Sequence, residues 1–176
     1  MKILVLGDSL TIATDDDGKY YLQKAFPQLE LTLVGEKGWG SEDILNILPT
    51  LSFTTYDGVF LWIGINDAQF KSEVVPYYFR KNLQAIVQQI PKPLVIISPP
   101  CVDEKKQWER SNQRIGEYVA ILASLHQPFF NFYELLLKKD YPELLKGAFD
   151  DGLHFEKAGY RLLAKAFCQQ FPIFSR

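Results

Sequence analysis

The sequence predicts an α/β fold, a parallel β-sheet with helices packed on both faces. Short runs rich in β-branched and aromatic residues alternate with longer stretches of helical periodicity, the pattern that builds such a sheet. The third run, Val59-Phe60-Leu61-Trp62-Ile63, is apolar throughout, as a strand covered on both faces must be. The runs also stop at residues that break strands: Gly7 and Gly35 close the first two, and Pro99-Pro100 closes the fourth.

In chain order the expected strands are Ile3–Leu6, Leu29–Val34, Tyr56–Ile63, Leu94–Ser98 and a less regular fifth, Phe129–Phe132. The expected helices are Gly18–Ala25, Ser41–Leu48, Glu73–Gln89, Lys106–Leu125 and Lys157–Gln170. Ser41 followed by Glu42 and Asp43 suits a helix start, because acids in the first turn meet the positive end of the helix dipole. In the last helix Ala158, Leu162, Leu163, Ala166 and Phe167 form one apolar stripe at helical spacing.

The chain has 176 residues, the size of one domain spanning residues 1–176. Its composition, 47% hydrophobic and 23% charged, is that of a globular protein. A formal charge of −2, without basic clusters, gives no electrostatic reason to expect nucleic acid or an anionic membrane as partner. Two cysteines, Cys101 and Cys168, are too few for a disulfide framework, and no Cys/His cluster has metal-ligand spacing. No cofactor or metal is expected. Lys2–Leu6 is too short for a signal-peptide apolar region, and no apolar stretch approaches the ~18 residues that span a bilayer. The expectation is a cytoplasmic chain without stable membrane insertion. Nothing in the sequence bears on oligomeric state.

Four short motifs carry the chemistry: Gly7-Asp8-Ser9-Leu10, Gly35-Glu36-Lys37-Gly38, Gly64-Ile65-Asn66-Asp67 and Asp151-Gly152-Leu153-His154. Acyl transfer through a serine needs a hydroxyl, an imidazole to take its proton and a carboxylate to hold that imidazole. The first motif supplies Ser9 and the last supplies Asp151 and His154. The middle two offer a glycine N–H and a side-chain amide, donors suited to a developing oxyanion. No Gly-x-Ser-x-Gly elbow occurs, which argues against the α/β-hydrolase fold but not against catalysis.

Taken together, and in this order from Ile3 to Tyr160, the motifs resemble those of the SGNH hydrolases, the GDSL esterase/lipase family. The resemblance implies a three-layer, flavodoxin-like architecture with five parallel strands in the order 2-1-3-4-5. It implies a serine esterase acting on small-molecule carboxylic esters or thioesters, with Ser9 as nucleophile, His154 as general base and Asp151 as its orienting acid. The short chain between the motifs, and Lys71 and Glu73 among the apolar residues after Asn66, point to short acyl chains. The oxyanion hole would comprise the Ser9 N–H, the Asn66 amide and a glycine of the second block. That block reads in two registers, with Gly38 or Gly40 as donor. Gly38 is preferred, because Asp43-Ile44-Leu45 then falls where the family's next helix begins. Family members usually carry a polar residue two positions before the first glycine, where this chain has Leu33. The stretch after Asn66 is where relatives line the acyl pocket, which makes Phe70 and Tyr77 candidate substrate contacts. Trp39 and Trp108 are expected at the site mouth.

Several residues also have plainer readings. Ser9 alone could be a polar residue closing a strand; the companion motifs are what raise it. His126, the only other histidine, falls before the fifth strand, at the opposite end of the sheet. Asp8 and Asp67 are expected to bond loop N–H groups, Asp15-Asp16-Asp17 to form a solvated turn or helix cap, and Trp62 and Cys101 to pack. An acyltransferase would use the same residues as an esterase. A catalytically silent binding module on this scaffold should have lost part of the Ser-His-Asp set, which is whole here. A phospho-acceptor domain, also five-stranded, needs a lysine ending strand five, where Phe132-Tyr133-Glu134 offers none.

Overall fold

The computed structural model describes residues 1–139, 141–145 and 149–175. Five strands, β1 (Lys2–Gly7), β2 (Glu30–Gly35), β3 (Gly58–Trp62), β4 (Leu94–Ile97) and β5 (Phe129–Phe130), form one sheet. All pair in parallel, in the order β2-β1-β3-β4-β5. The helices are α1 (Tyr21–Ala25), α2 (Ser41–Ile47), α3 (Pro76–Gln89), α4 (Asn112–Ala123), α5 (Phe132–Leu137), α6 (Tyr141–Leu144) and α7 (Lys157–Gln170). Helices α1 and α7 pack together, as do α2 with α3 and α3 with α4.

Strand β3 is buried along its whole length, which accounts for its unbroken apolar run. Phe60 meets Phe167 of α7, with ring centroids 4.9 Å apart, and Phe26 beyond α1 packs edge-on against Phe167 at 5.6 Å. Each such ring contributes about 1.5–3 kcal/mol through burial alone. Across α3 and α4, Phe79 lies 4.9 Å from Tyr118.

Several boundaries differ from the sequence expectation, and three of them have a clear local reason. Helix α3 begins at Pro76 rather than Glu73, since proline fits the first helical position, where no N–H partner is needed. Helix α4 begins at Asn112, not Lys106: the Ser111 hydroxyl accepts the Arg114 N–H and caps the helix there. Residues 104–111 therefore form a loop. Strand β5 stops after two residues because Asn131 accepts the Glu134 N–H and starts α5.

Register brings the motifs level. Gly7 pairs with Gly35 on one side and Trp62 on the other, so the first three motifs leave the sheet from the same height at its carboxyl end. Strands β2 and β3 flank β1, so the winding reverses there, which is where open α/β sheets bind ligands.

Candidate active site

The turn after β1 is fixed from within. The Asp8 carboxylate accepts the Leu10 N–H at 2.9 Å, and the buried Tyr160 hydroxyl of α7 donates to the Leu10 carbonyl at 2.5 Å. Ser9, between them, is half-buried and faces His154: Oγ to Nε2 is 3.0 Å. The other ring nitrogen, Nδ1, lies 2.6 Å from Asp151 Oδ2. Asp151 Oδ1 accepts the backbone N–H groups of Leu153 and His154, both at 2.9 Å. Gly152, at φ +74, makes this tight turn possible. Burial pushes the Asp151 carboxyl up, but the His154 ring and the two N–H groups outweigh it and hold it well below the usual carboxylate range.

Opposite lies a set of donors. The Asn66 amide nitrogen gives one N–H to the Trp39 carbonyl at 2.9 Å, which leaves its second N–H for the cleft. Among the described residues, the Ser9 and Gly38 N–H groups have no protein acceptor. The Gly40 N–H is taken by the Asp43 carboxylate at 2.8 Å. Gly38 sits at φ +86. Asp67 accepts both the Ser41 N–H (2.9 Å) and its hydroxyl (2.6 Å), tying the start of α2 to the end of β3 and so the second motif to the third.

Two hollows meet at Ser9 and His154. One, of about 240 Å³, is walled by Ile12, Ala13, Tyr21, Phe149 and Phe155. The other, of about 290 Å³, is bounded by Gly38, Asn66, Gln69, Gln107 and Arg110. Trp108 stands on the rim of the second, 81% exposed. The other aromatic residues expected at the site do not line either hollow. Phe70 (56% exposed) and Tyr77 (63%) face solvent, because Phe70 is held by its N–H to the Glu109 carbonyl and Tyr77 meets Tyr78 edge-on. Trp39 packs its ring against the core and turns only its carbonyl to Asn66. The apolar wall comes instead from Ile12, Tyr21, Phe149 and Phe155, which no motif singles out. Only proximity to Ser9 and His154 in sequence hints at Ile12 and Phe155.

The remaining candidates have local roles. Asp15 accepts the N–H groups of Asp17 and Lys19 and pairs with Lys24, which makes the acidic run a turn. The Trp62 indole N–H donates to the Ser98 carbonyl inside the core. Burial pushes the Cys101 thiol up to about 12, so it packs as a thiol rather than reacting as a thiolate. Among the described residues no group of three or more His, Cys, Asp or Glu could hold a metal ion, and no helix is long and apolar enough to cross a membrane.

Comparison with known proteins gives this geometry its family. The family model for GDSL-like lipases/acylhydrolases matches residues 5–162. The chain belongs to that family. As a GDSL-family protein it is an esterase/acylhydrolase, a hydrolase of ester bonds. This GDSL hydrolase is 29% identical to the isoamyl acetate-hydrolyzing esterase of Schizosaccharomyces pombe, over 92% of the present chain and 71% of the yeast one. Its fold matches the crystal structure of a lipase/acylhydrolase from Enterococcus faecalis with a TM-score of 0.83, at 26% identity over 99% and 96% of the two chains. An acetylxylan esterase from Geobacillus stearothermophilus shares the fold at a TM-score of 0.68, with 22% identity over 96% and 93% of the chains.

Proposed function

We propose that this GDSL hydrolase is a serine esterase that cleaves carboxylic esters, or thioesters, of short acyl chains through an acyl-enzyme on Ser9. The observation that carries the reading is the unbroken chain from Ser9 Oγ to His154 Nε2 (3.0 Å) and from His154 Nδ1 to Asp151 Oδ2 (2.6 Å). In the first step Ser9 Oγ attacks the acyl carbon, and its proton passes to His154. Asp151, kept ionised by its hydrogen bonds, fixes the imidazole tautomer and stabilises the imidazolium. The alkoxide leaves with that proton, and water, deprotonated by His154, then releases the acid and restores Ser9.

The negative charge of each tetrahedral intermediate falls to the Ser9 and Gly38 N–H groups and the free N–H of Asn66. Gly38 is favoured over Gly40 because the Gly40 N–H already serves Asp43. The yeast relative is named for an acetate ester of a small branched alcohol. Such a substrate suits a cleft whose apolar hollow is about 240 Å³.

The test uses p-nitrophenyl acetate and a fluorophosphonate probe with the wild type, Ser9→Ala, His154→Ala and the double variant. Each single variant should lose nearly all turnover, Ser9→Ala should not label, and the double should be little worse than either single, because residues acting as a unit are non-additive. Fully multiplicative losses would show that Ser9 and His154 work separately and would sink the reading.

A further inference from the structure

Arg110 belongs to none of the four motifs, yet it is only 6% exposed and its guanidinium lies directly behind the donor site. Its Nε donates to the Ile65 carbonyl at 3.1 Å, one terminal nitrogen to Asn66 Oδ1 at 2.9 Å and the other to Gln107 Oε1 at 2.9 Å. The Gln107 amide in turn donates to the Asp151 carbonyl at 2.6 Å. Two side chains from the loop before α4 thus connect the asparagine of the third motif to the acid of the fourth. Burying a guanidinium is costly unless its fork is matched, and here each nitrogen has an acceptor.

We propose that Arg110 is a positioning residue for oxyanion stabilisation, acting through the Asn66 carboxamide and linked through Gln107 to the Asp151 turn. This rests on the serine-esterase reading above. A carboxamide has a donor end and an acceptor end of nearly the same shape. Turned over, Asn66 would present its oxygen to the developing oxyanion and repel it. Arg110 prevents this, because a guanidinium has donors only and accepts nothing from an amide N–H. The Trp39 carbonyl enforces the same orientation from the nitrogen end. A charge-assisted bond to Oδ1 also draws electron density from the amide, so the free N–H becomes a better donor as negative charge builds. The benefit is largest in the transition state and should appear in kcat rather than KM.

A double-mutant cycle tests this, with p-nitrophenyl acetate as substrate and thermal melting as a folding control. Asn66→Ala should lower kcat by about 10²–10³. Arg110→Met should lower it by about 10–10², with KM changed less than about threefold. In the Asn66→Ala background the Arg110→Met loss should shrink to about threefold or less, since the amide it acts through is gone. Ethylguanidinium added to Arg110→Ala should recover part of kcat and do nothing for the Asn66→Ala/Arg110→Ala double variant. Losses that multiply in the double variant, or rescue that persists without Asn66, would overturn the proposal. Should Arg110→Met fail to fold, Arg110→Lys completes the same cycle, because an ammonium keeps the charge but cannot match the three acceptors. Turnover that survives Ser9→Ala would sink the esterase reading itself. Ser9-dependent turnover without Arg110–Asn66 coupling would sink only this proposal.

Discussion

Asp8 precedes Ser9 and is fully buried. Burial pushes its carboxyl up to about 7 from an ordinary 3.8, against the pull of the Leu10 N–H and of the His154 and Arg110 charges. An acid with a raised folded pKa holds its proton more tightly in the native state. Its stabilising contribution is therefore complete below about pH 4 and is lost as the pH rises through about 7. Asp67, raised to about 6 by burial against its Ser41 hydrogen bonds, works in the same direction. Asp151 works in the opposite one: its contribution is present above the ordinary carboxylate value and is lost as the pH falls below it. Asp8→Asn keeps an acceptor for Leu10 and removes the buried charge. Its melting temperature relative to wild type should rise by several degrees from pH 4 to pH 8, at about 2–4 °C per kcal/mol for a chain of this size. A difference that is flat across this range would mean that Asp8 does not titrate there.

At the level of elements, the site depends on how two loops brace each other. The Asp151–His154 turn is held by the Asp103 N–H, which donates to the Gly152 carbonyl at 2.8 Å, and by the ion pair of Lys106 with Asp150. A Cβ on Gly152 would stand 2.9 Å from both the Asp103 carbonyl oxygen and the Lys106 Cβ, at a positive φ that disfavours any side chain. Gly152→Ala should therefore cost about 1–3 kcal/mol and also move Asp151 and His154 out of line with Ser9. Stability by chemical denaturation and kcat should fall together. By contrast, Ser9→Ala should cost activity alone. A Gly152→Ala variant with unchanged stability and turnover would show that the turn tolerates a side chain by moving Asp103 and Lys106 aside.

For the molecule as a whole, the sheet puts Ser9 and His154 between two modest hollows, of about 240 and 290 Å³. Phe149, 70% exposed, and Trp108 stand at their edges rather than over a deep tunnel. An added methylene contributes about 0.8 kcal/mol only while it has apolar wall to touch. Across a series of p-nitrophenyl esters, kcat/KM should rise from acetyl, peak by about hexanoyl and then fall, for the same reason. A steady climb to palmitoyl would require an extended apolar groove that these hollows do not supply.

The parallel sheet was legible because strands buried on both faces must be apolar along their length, and β3 is. Ser9, Asn66, Asp151 and His154 were legible because each lies in a short motif at a strand end or before the last helix. Each motif could be read by itself, but Ser9 and His154 stand 145 residues apart in the chain and meet only through the fold. The helix starts at Pro76 and Asn112 were encoded locally too, in a proline and in the Ser111 hydroxyl cap, but helical periodicity ran past both signals. The walls of the cleft were not legible. Phe70 and Tyr77 lie at the right distance in sequence from Asn66, yet backbone hydrogen bonding to Glu109 and edge-on contact with Tyr78 leave them in solvent. Arg110 and Gln107 reach Asn66 and Asp151 across 44 residues of chain each. Periodicity and motif spacing report contacts within a turn or a strand. Which side chain fills the space behind a distant amide is decided only when strand order and loop packing bring the two together.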